Sequence, residues 1–189
     1  MSMDRTYPKL FIQMSVIDHD VLRSTLLDSD LQSGPAARLA YELQWALAQD
    51  VMKQGLGVII DSNCNFQVVL DRGRELAKQQ GYSYWYVECQ VRDIDLLDRR
   101  LRSRDSMTSQ RTGVDCAPAG AVAANGIGES EDSCAIFKRW IENPCRPEDS
   151  NIVIIDSTGN PEMLRDHILK MIASYLRGPG ARWQERHVA

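Results

Sequence analysis

Residues 58–61 read VIID, a continuous apolar run that ends in a carboxylate. Residues 152–156 read IVIID and repeat the pattern near the other end of the chain. Such runs are typical of strands in a parallel sheet that helices cover on both faces. Elsewhere apolar residues recur at a helical period, most clearly at Ala36, Leu39, Ala40, Leu43, Ala46, Leu47 and Val51. The sequence therefore predicts an α/β fold, in which a parallel sheet is flanked by helices.

The composition is that of an ordinary globular protein: 189 residues, 43% hydrophobic, 25% charged, with a net charge of -4. It gives no strong signal for nucleic-acid binding, and no run approaches the roughly 18 apolar residues of a membrane span. The first residues lack the apolar core of a secretory signal, and five scattered cysteines do not form a disulfide or zinc pattern. These features predict a cytoplasmic protein without a membrane partner and leave its oligomeric state open.

The chain is predicted to form a single domain over residues 9–177, starting with an apolar strand at 9–17. Residues 113–133 are rich in Gly, Ala and Ser and have no period, which predicts a flexible loop within the domain. Residues 178–189 are predicted to be a polar C-terminal tail.

Three predicted strands end in acidic residues, at Asp18 with nearby Asp20, at Asp61 and at Asp156. Because ligands of parallel sheets bind beyond the carboxyl ends of the strands, these acids are candidates for a functional site. The alternative is structural, since an Asp at the end of a strand often caps the following helix.

Four segments resemble, in their order along the chain, the P-loop kinases related to polynucleotide kinases and zeta toxins. They are VIDHDVLRS (16–24), GLGVIIDSNCN (55–65), YWYVECQVRDIDLLDRRLRSR (84–104) and NIVIIDSTGNPE (151–162). The resemblance runs from about residue 9 to residue 176 and is strongest to uncharacterised fungal P-loop nucleoside triphosphate hydrolase proteins. It implies a three-layer sandwich, a small-molecule or nucleotide substrate, and ATP with Mg²⁺ as cofactors.

The resemblance also implies roles for individual residues. Asp20 corresponds to the catalytic base that receives the acceptor proton, and Arg23, three residues later, to the substrate-binding residue. Asp61 corresponds to a residue that positions Mg²⁺ through water. Arg100 and Arg104 lie four residues apart on the lid helix, which suits contacts to a phosphate. Without the resemblance, a solvated basic face paired with acids of the same helix is the alternative reading.

The chain departs from this family where ATP should bind. The family places GxxxxGK[ST] between its first strand and first helix, and this sequence has no Gly-Lys pair. KLFIQMS resembles the first strand and VIDHD the second, yet Ser15 is followed directly by Val16. A block of about 20 to 30 residues is therefore missing from the first β-loop-α unit. We expect an incomplete sandwich with part of its sheet uncovered and lower stability than the parent family.

Three functions remain open from the sequence. The first is a kinase-like protein derived from an ATP-dependent phosphotransferase that has lost or impaired ATP binding. The second is a non-catalytic binding or regulatory protein that retains the acceptor pocket. The third is an active small-molecule or nucleotide kinase whose gene model lacks the P-loop. The residues do not identify the phosphoryl acceptor.

Overall fold

The computed structural model describes residues 14–118, 133–148 and 151–176, which contain four strands and six helices. In chain order these are β1 (Met14–Asp18), α1 (His19–Asp28), α2 (Ser33–Lys53), β2 (Gly57–Asp61), α3 (Gln67–Gln80), β3 (Trp85–Gln90), α4 (Ile94–Ser103), α5 (Ser133–Glu142), β4 (Asn151–Asp156) and α6 (Pro161–Leu176). The predicted strand residues 9–13, most of the predicted loop at 113–133 and the predicted tail at 178–189 lie outside the described residues.

The strands pair in parallel, as their apolar runs predict. β1 pairs with β2, with Asp18 opposite Asp61 at the carboxyl end. β3 pairs with β4, with Gln90 opposite Asp156. The parallel α/β architecture is therefore confirmed, while the strands in the described residues form two separate pairs. One continuous sheet in a three-layer sandwich remains a prediction.

β1 runs into α1 without a connecting loop, because Asp18 is both the last strand residue and the N-cap of the helix. β1 contains Met14 and Ser15, from the segment that resembles the family's first strand, together with residues 16–18 of the second. Residues 14–18 thus form one continuous strand across the junction between Ser15 and Val16.

The long helix α2 is amphipathic as predicted, but its buried line differs from the predicted one. That line consists of residues four apart, at Ala36, Ala40, Gln44, Ala48 and Met52. Leu43 and Leu47 are 43% and 44% exposed. Small alanine side chains let α2 approach α1 and the first sheet closely, and the bulkier leucines are left on the outer side.

A compact core lies against one face of the first sheet. Its buried members come from both strands, α2 and α3, and are Ile17, Ala48, Met52, Val58, Leu76 and Ala77. The opposite face of the same strand pair carries Val16 and Ile59, which are 63% and 44% exposed. This face of the strand pair is thus partly exposed, while an incomplete sandwich stays a prediction.

Candidate functional site

Three carboxylates lie close together at the carboxyl edge of the first sheet. Asp18 and Asp61 are register partners, and Asp20 lies in the first turn of α1. Partial burial raises the pKa of Asp61, and the neighbouring charges of Asp18 and Asp20 raise it further. Negative charge is therefore crowded at this edge, and the ionised form of Asp61 is disfavoured in the folded state.

We expect Asp61→Asn to stabilise the protein at neutral pH. Because folding raises the pKa of Asp61, its favourable contribution is present below the pKa of the unfolded chain and is lost as pH rises through the folded pKa. The gain should stay below about 1 kcal/mol, since solvent screens a partly exposed carboxylate. Urea denaturation at pH 7 and near pH 4 measures it, and the gain should fade at the lower pH.

Asp156→Asn is the matched control, because it removes the strand-end acid of β4. Hydrogen bonds from Thr158 lower the pKa of Asp156, so this carboxylate stabilises the fold above its unfolded pKa and loses that contribution as pH falls. Its substitution should destabilise the protein at pH 7. Loss of stability in Asp61→Asn at neutral pH contradicts the crowding of charge at the first sheet.

Asp18 occupies the amino end of α1. Its Oδ1 accepts hydrogen bonds from the backbone N–H groups of Asp20 at 2.8 Å and Val21 at 3.3 Å. These are the donors that a bound phosphate needs at the start of a helix. A carboxylate already uses these donors, and Asp20 adds a second negative charge beside them.

Asp20 is held by the segment that follows α4. Its two carboxylate oxygens accept hydrogen bonds from Ser109 Oγ at 3.0 Å and Gln110 Nε2 at 3.0 Å. Ser109 is 3% exposed, and its hydroxyl also accepts a 2.9 Å hydrogen bond from Ser24. Asp20 and Ser24, one turn apart on α1, thus dock this segment onto the helix.

Arg23 follows Asp20 by three positions on α1 but has different hydrogen-bond partners. Its Nη2 donates to Ser33 Oγ at 3.4 Å, and its Nε is buried with no hydrogen-bond partner among the described residues. No carboxylate within those residues forms an ion pair with it. The structure therefore places the predicted base and the predicted substrate-binding residue on one helix but gives them separate partners.

Five polar residues lie near one another beside α1 and α2: the buried His19 and Gln44 and the half-buried Arg23, Tyr41 and Ser62. His19 Nδ1 lies 3.0 Å from Gln44 Oε1, and the His19 ring lies 4.1 Å from that of Tyr41. Burial lowers the pKa of His19, so the imidazole is neutral at physiological pH. Burial also raises the pKa of Tyr41, while a hydrogen bond with Ser62 and the charge of Arg23 lower it. We call these five residues the His19 cluster.

In addition to Arg23 Nε, Gln44 Nε2 is a buried polar atom of the His19 cluster that lacks a partner among the described residues. Ser62 forms a side-chain hydrogen bond with Tyr41. Gln44 is fully buried, at 0% exposure. Buried polar groups are rarely left without a hydrogen bond in folded proteins, and each costs stability. The cluster therefore contains two buried nitrogen atoms, Arg23 Nε and Gln44 Nε2, that donate to no acceptor among the described residues.

The two lid arginines bind backbone carbonyls of different segments. Arg100 donates to Ser157 O at 2.9 Å, and Arg104 donates to Arg111 O at 3.0 Å. The alternative, in which an arginine of this helix pairs with an acid of the same helix, holds for the neighbouring Arg102. Its Nε donates to Asp98 at 2.7 Å. A role of Arg100 and Arg104 in binding phosphate stays a prediction.

Metal binding at Asp61 also stays a prediction. Within the described ranges, no group of three or more His, Cys, Asp or Glu side chains is placed to hold a metal ion. Helices in the described part of the chain are not both long and apolar enough to cross a membrane.

Several site residues were missed by the sequence reasoning. Ser109 and Gln110 lie in a segment without periodicity, so nothing pointed to them. Gln44 could have been singled out from the sequence, because it is the polar residue in a line of otherwise apolar residues four apart on α2. Glu88, which is 9% exposed, pairs with Arg146 through hydrogen bonds of 2.7 and 3.0 Å.

Comparison with known proteins supplies no relative: no family model, no curated protein and no solved structure matches this chain.

Proposed function

We propose that this protein is a non-catalytic binding protein, derived from a P-loop kinase, that works without ATP. The remnant of the kinase site is its acceptor half, centred on Arg23 and the rest of the His19 cluster. The kinase ancestry rests on the sequence resemblance, and the loss of catalysis rests on the contacts of Asp20.

The observation that carries the proposal is the engagement of both Asp20 carboxylate oxygens. A carboxylate has about four acceptor positions, so two hydrogen bonds leave acceptor capacity on it but fix the group in one orientation. In this protein Ser109 and Gln110 use one oxygen each, at 3.0 Å. The residue that the resemblance assigns to catalysis thus has a structural task, which is to hold the segment around Ser109 onto α1.

The missing first β-loop-α unit supports the same conclusion for ATP. The sequence lacks the glycine-rich loop and its lysine, and the backbone donors at the start of the helix are already bonded to Asp18. A site without the lysine and without free N–H groups has neither the charge nor the donors that bind the triphosphate.

We expect ATP with Mg²⁺ to leave the thermal stability unchanged to within about 1 °C. A true ligand at 100 times its dissociation constant stabilises by roughly 2.7 kcal/mol, which corresponds to about 5 to 10 °C for a chain of this size. Differential scanning fluorimetry at millimolar ATP measures the difference, with MgCl₂ alone as the control.

A saturable stabilisation by ATP with Mg²⁺ above that control overturns the proposal. The genomic DNA between the codons for Ser15 and Val16 gives an independent test. A reading frame there that encodes GxxxxGK[ST] favours the active kinase, and its absence supports an ATP-independent protein.

A further inference from the structure

We infer that a groove between α2 and α3 binds a small, flat aromatic molecule that carries one carboxylate. The ring of this ligand lies against Trp45 and Tyr41, and its carboxylate accepts hydrogen bonds from Arg72. This site lies outside the remnant of the kinase site in the proposed function. It shares Tyr41 with the His19 cluster, but Arg23 does not line it.

The groove is an open cavity of about 480 Å³. Pockets that hold small molecules have volumes of about 300 to 1,000 Å³. Its lining side chains are spaced three or four positions apart on each helix, as Tyr41 and Trp45 are on α2 and Arg72 and Leu76 are on α3. Because residues at this spacing share one face of a helix, the groove runs along the junction between two helix faces.

Two aromatic side chains form much of the apolar part of the groove. Tyr41 and Trp45 are half-buried, and the buried Leu76 also lines the groove. Trp45 lies against α3 at Gly73, since a Cβ built on that glycine would be 3.4 Å from Trp45 Cη2. The indole is therefore placed beside the backbone of the residue that follows Arg72. Indole and phenol rings pack well against another flat ring, which favours an aromatic ligand.

Arg72 provides the hydrogen-bond donors for the carboxylate. It is exposed, and it forms no hydrogen bond or ion pair within the described part of the chain. Its two acidic neighbours on α3 have other partners. Asp71 accepts a hydrogen bond from Arg74 at 3.4 Å. Glu75 accepts one from Gln79 at 2.9 Å. The planar guanidinium of Arg72 is thus free to bind the two oxygens of a carboxylate in parallel.

The charges that line the groove favour a ligand with a single negative charge. Arg38 and Arg72 line it together with Glu42, so two positive charges face one negative charge. Glu42 lies 3.9 Å from Arg38, and their side chains are 65% and 73% accessible, which makes this pair weak. The Glu42 carboxylate repels the second charge of a dianion such as an aryl phosphate. An aryl carboxylate therefore fits the groove better than an aryl phosphate.

Sodium 2-naphthoate is the probe, and ¹⁵N-resolved NMR of the full chain is the measurement. The indole N–H signal of Trp45, assigned by its absence from Trp45→Phe, should shift saturably. A ligand of this size is expected to bind with a dissociation constant of about 1 mM, so the titration should extend to about 10 mM. Uncharged 2-naphthamide and non-aromatic octanoate should each bind at least about threefold more weakly, because each lacks one of the two recognised groups.

Arg72→Gln should weaken the binding of 2-naphthoate about tenfold, because it removes the charged donor. Arg72→Lys should have an intermediate effect, since it keeps the charge but loses the planar fork. Arg165→Gln is the matched control, because Arg165 is an exposed arginine of α6, 63% accessible, that does not line the groove. Its affinity for 2-naphthoate should be unchanged.

Three results would each overturn this inference: no saturable shift up to about 10 mM, equal or tighter binding of 2-naphthamide or octanoate, and unchanged affinity in Arg72→Gln. Tighter binding of 2-naphthyl phosphate than of 2-naphthoate overturns the choice of a monoanion. The ATP titration is separate, so stabilisation by ATP overturns the proposed function while a naphthoate site at Arg72 still stands.

Discussion

We expect Leu70→Ala to lower the free energy of unfolding by about 2 to 5 kcal/mol, the range for removing a fully buried leucine side chain. Leu70 lies on α3, is 1% exposed and, within the described part of the chain, is one of the two largest side chains that are fully buried. Domains of this size are stable by only about 5 to 15 kcal/mol. This single truncation therefore removes a large share of the total.

Urea denaturation followed by tryptophan fluorescence and far-UV circular dichroism measures this loss. The two signals should share one midpoint, which also tests whether residues 9–177 fold as one cooperative domain. Val68→Ala is the matched control, because Val68 lies on the same helix and is 72% exposed. Its effect should stay within about 0.5 kcal/mol. Two separate transitions contradict a single domain, and a loss below 1 kcal/mol in Leu70→Ala contradicts its place in the core.

The position of α3 explains why such a loss should spread through the fold. Leu76 and Ala77 of α3 belong to the core beneath the first sheet, and Tyr82 and Tyr84, which lead into β3, pack against that core. Gly73 lets α3 approach Tyr84 closely, since an added Cβ would lie 3.2 Å from its ring. The helix α3 thus contacts both the core of the first strand pair and the residues that lead into β3 of the second pair. The two pairs share no hydrogen-bonded strand in the described residues.

The sequence predicted those parts of the fold that depend on local pattern. The runs at 58–61 and 152–156 became parallel strands because continuous apolar residues carry that information in a short segment. The continuity of the strand across Ser15 and Val16 also follows from the unbroken strand-like run there. The inward face of α2 was less predictable, because alanine and leucine are both apolar and only close packing distinguishes them.

The contacts of the candidate site depend on long-range packing instead. Asp20 and Ser109 are 89 positions apart, and no local pattern joins them. The spacing of Asp20 and Arg23 suggested one shared site. Residues three positions apart on a helix point about 60° apart, and here they have different hydrogen-bond partners, Ser109 for Asp20 and Ser33 for Arg23. His19 and Arg23 form one pair four positions apart on α1, and Asp20 and Ser24 form another.

Asp20 and Ser24 contact the segment after α4, and Asp20→Ala tests this structural role. We expect a loss of about 2 to 3 kcal/mol, because a hydrogen bond to a charged group contributes roughly 1.5 to 3 kcal/mol and the two bonds are not additive. Asp20→Asn should lose less, since its side-chain oxygen still accepts from Ser109 or Gln110. Urea denaturation at pH 7 gives both values.

Asp28→Ala is the control for this prediction. Asp28 lies on the same helix and accepts a single exposed hydrogen bond, of 2.7 Å, from Thr108 of the same docked segment. Its loss should be well below that of Asp20→Ala, because water replaces the partner at an exposed site. A catalytic Asp20 predicts the opposite result, since active-site residues are commonly held at a cost in stability and their removal leaves the fold unchanged or stabilises it. A stable Asp20→Ala protein would therefore return this residue to the candidate active site and remove the main support for a non-catalytic function.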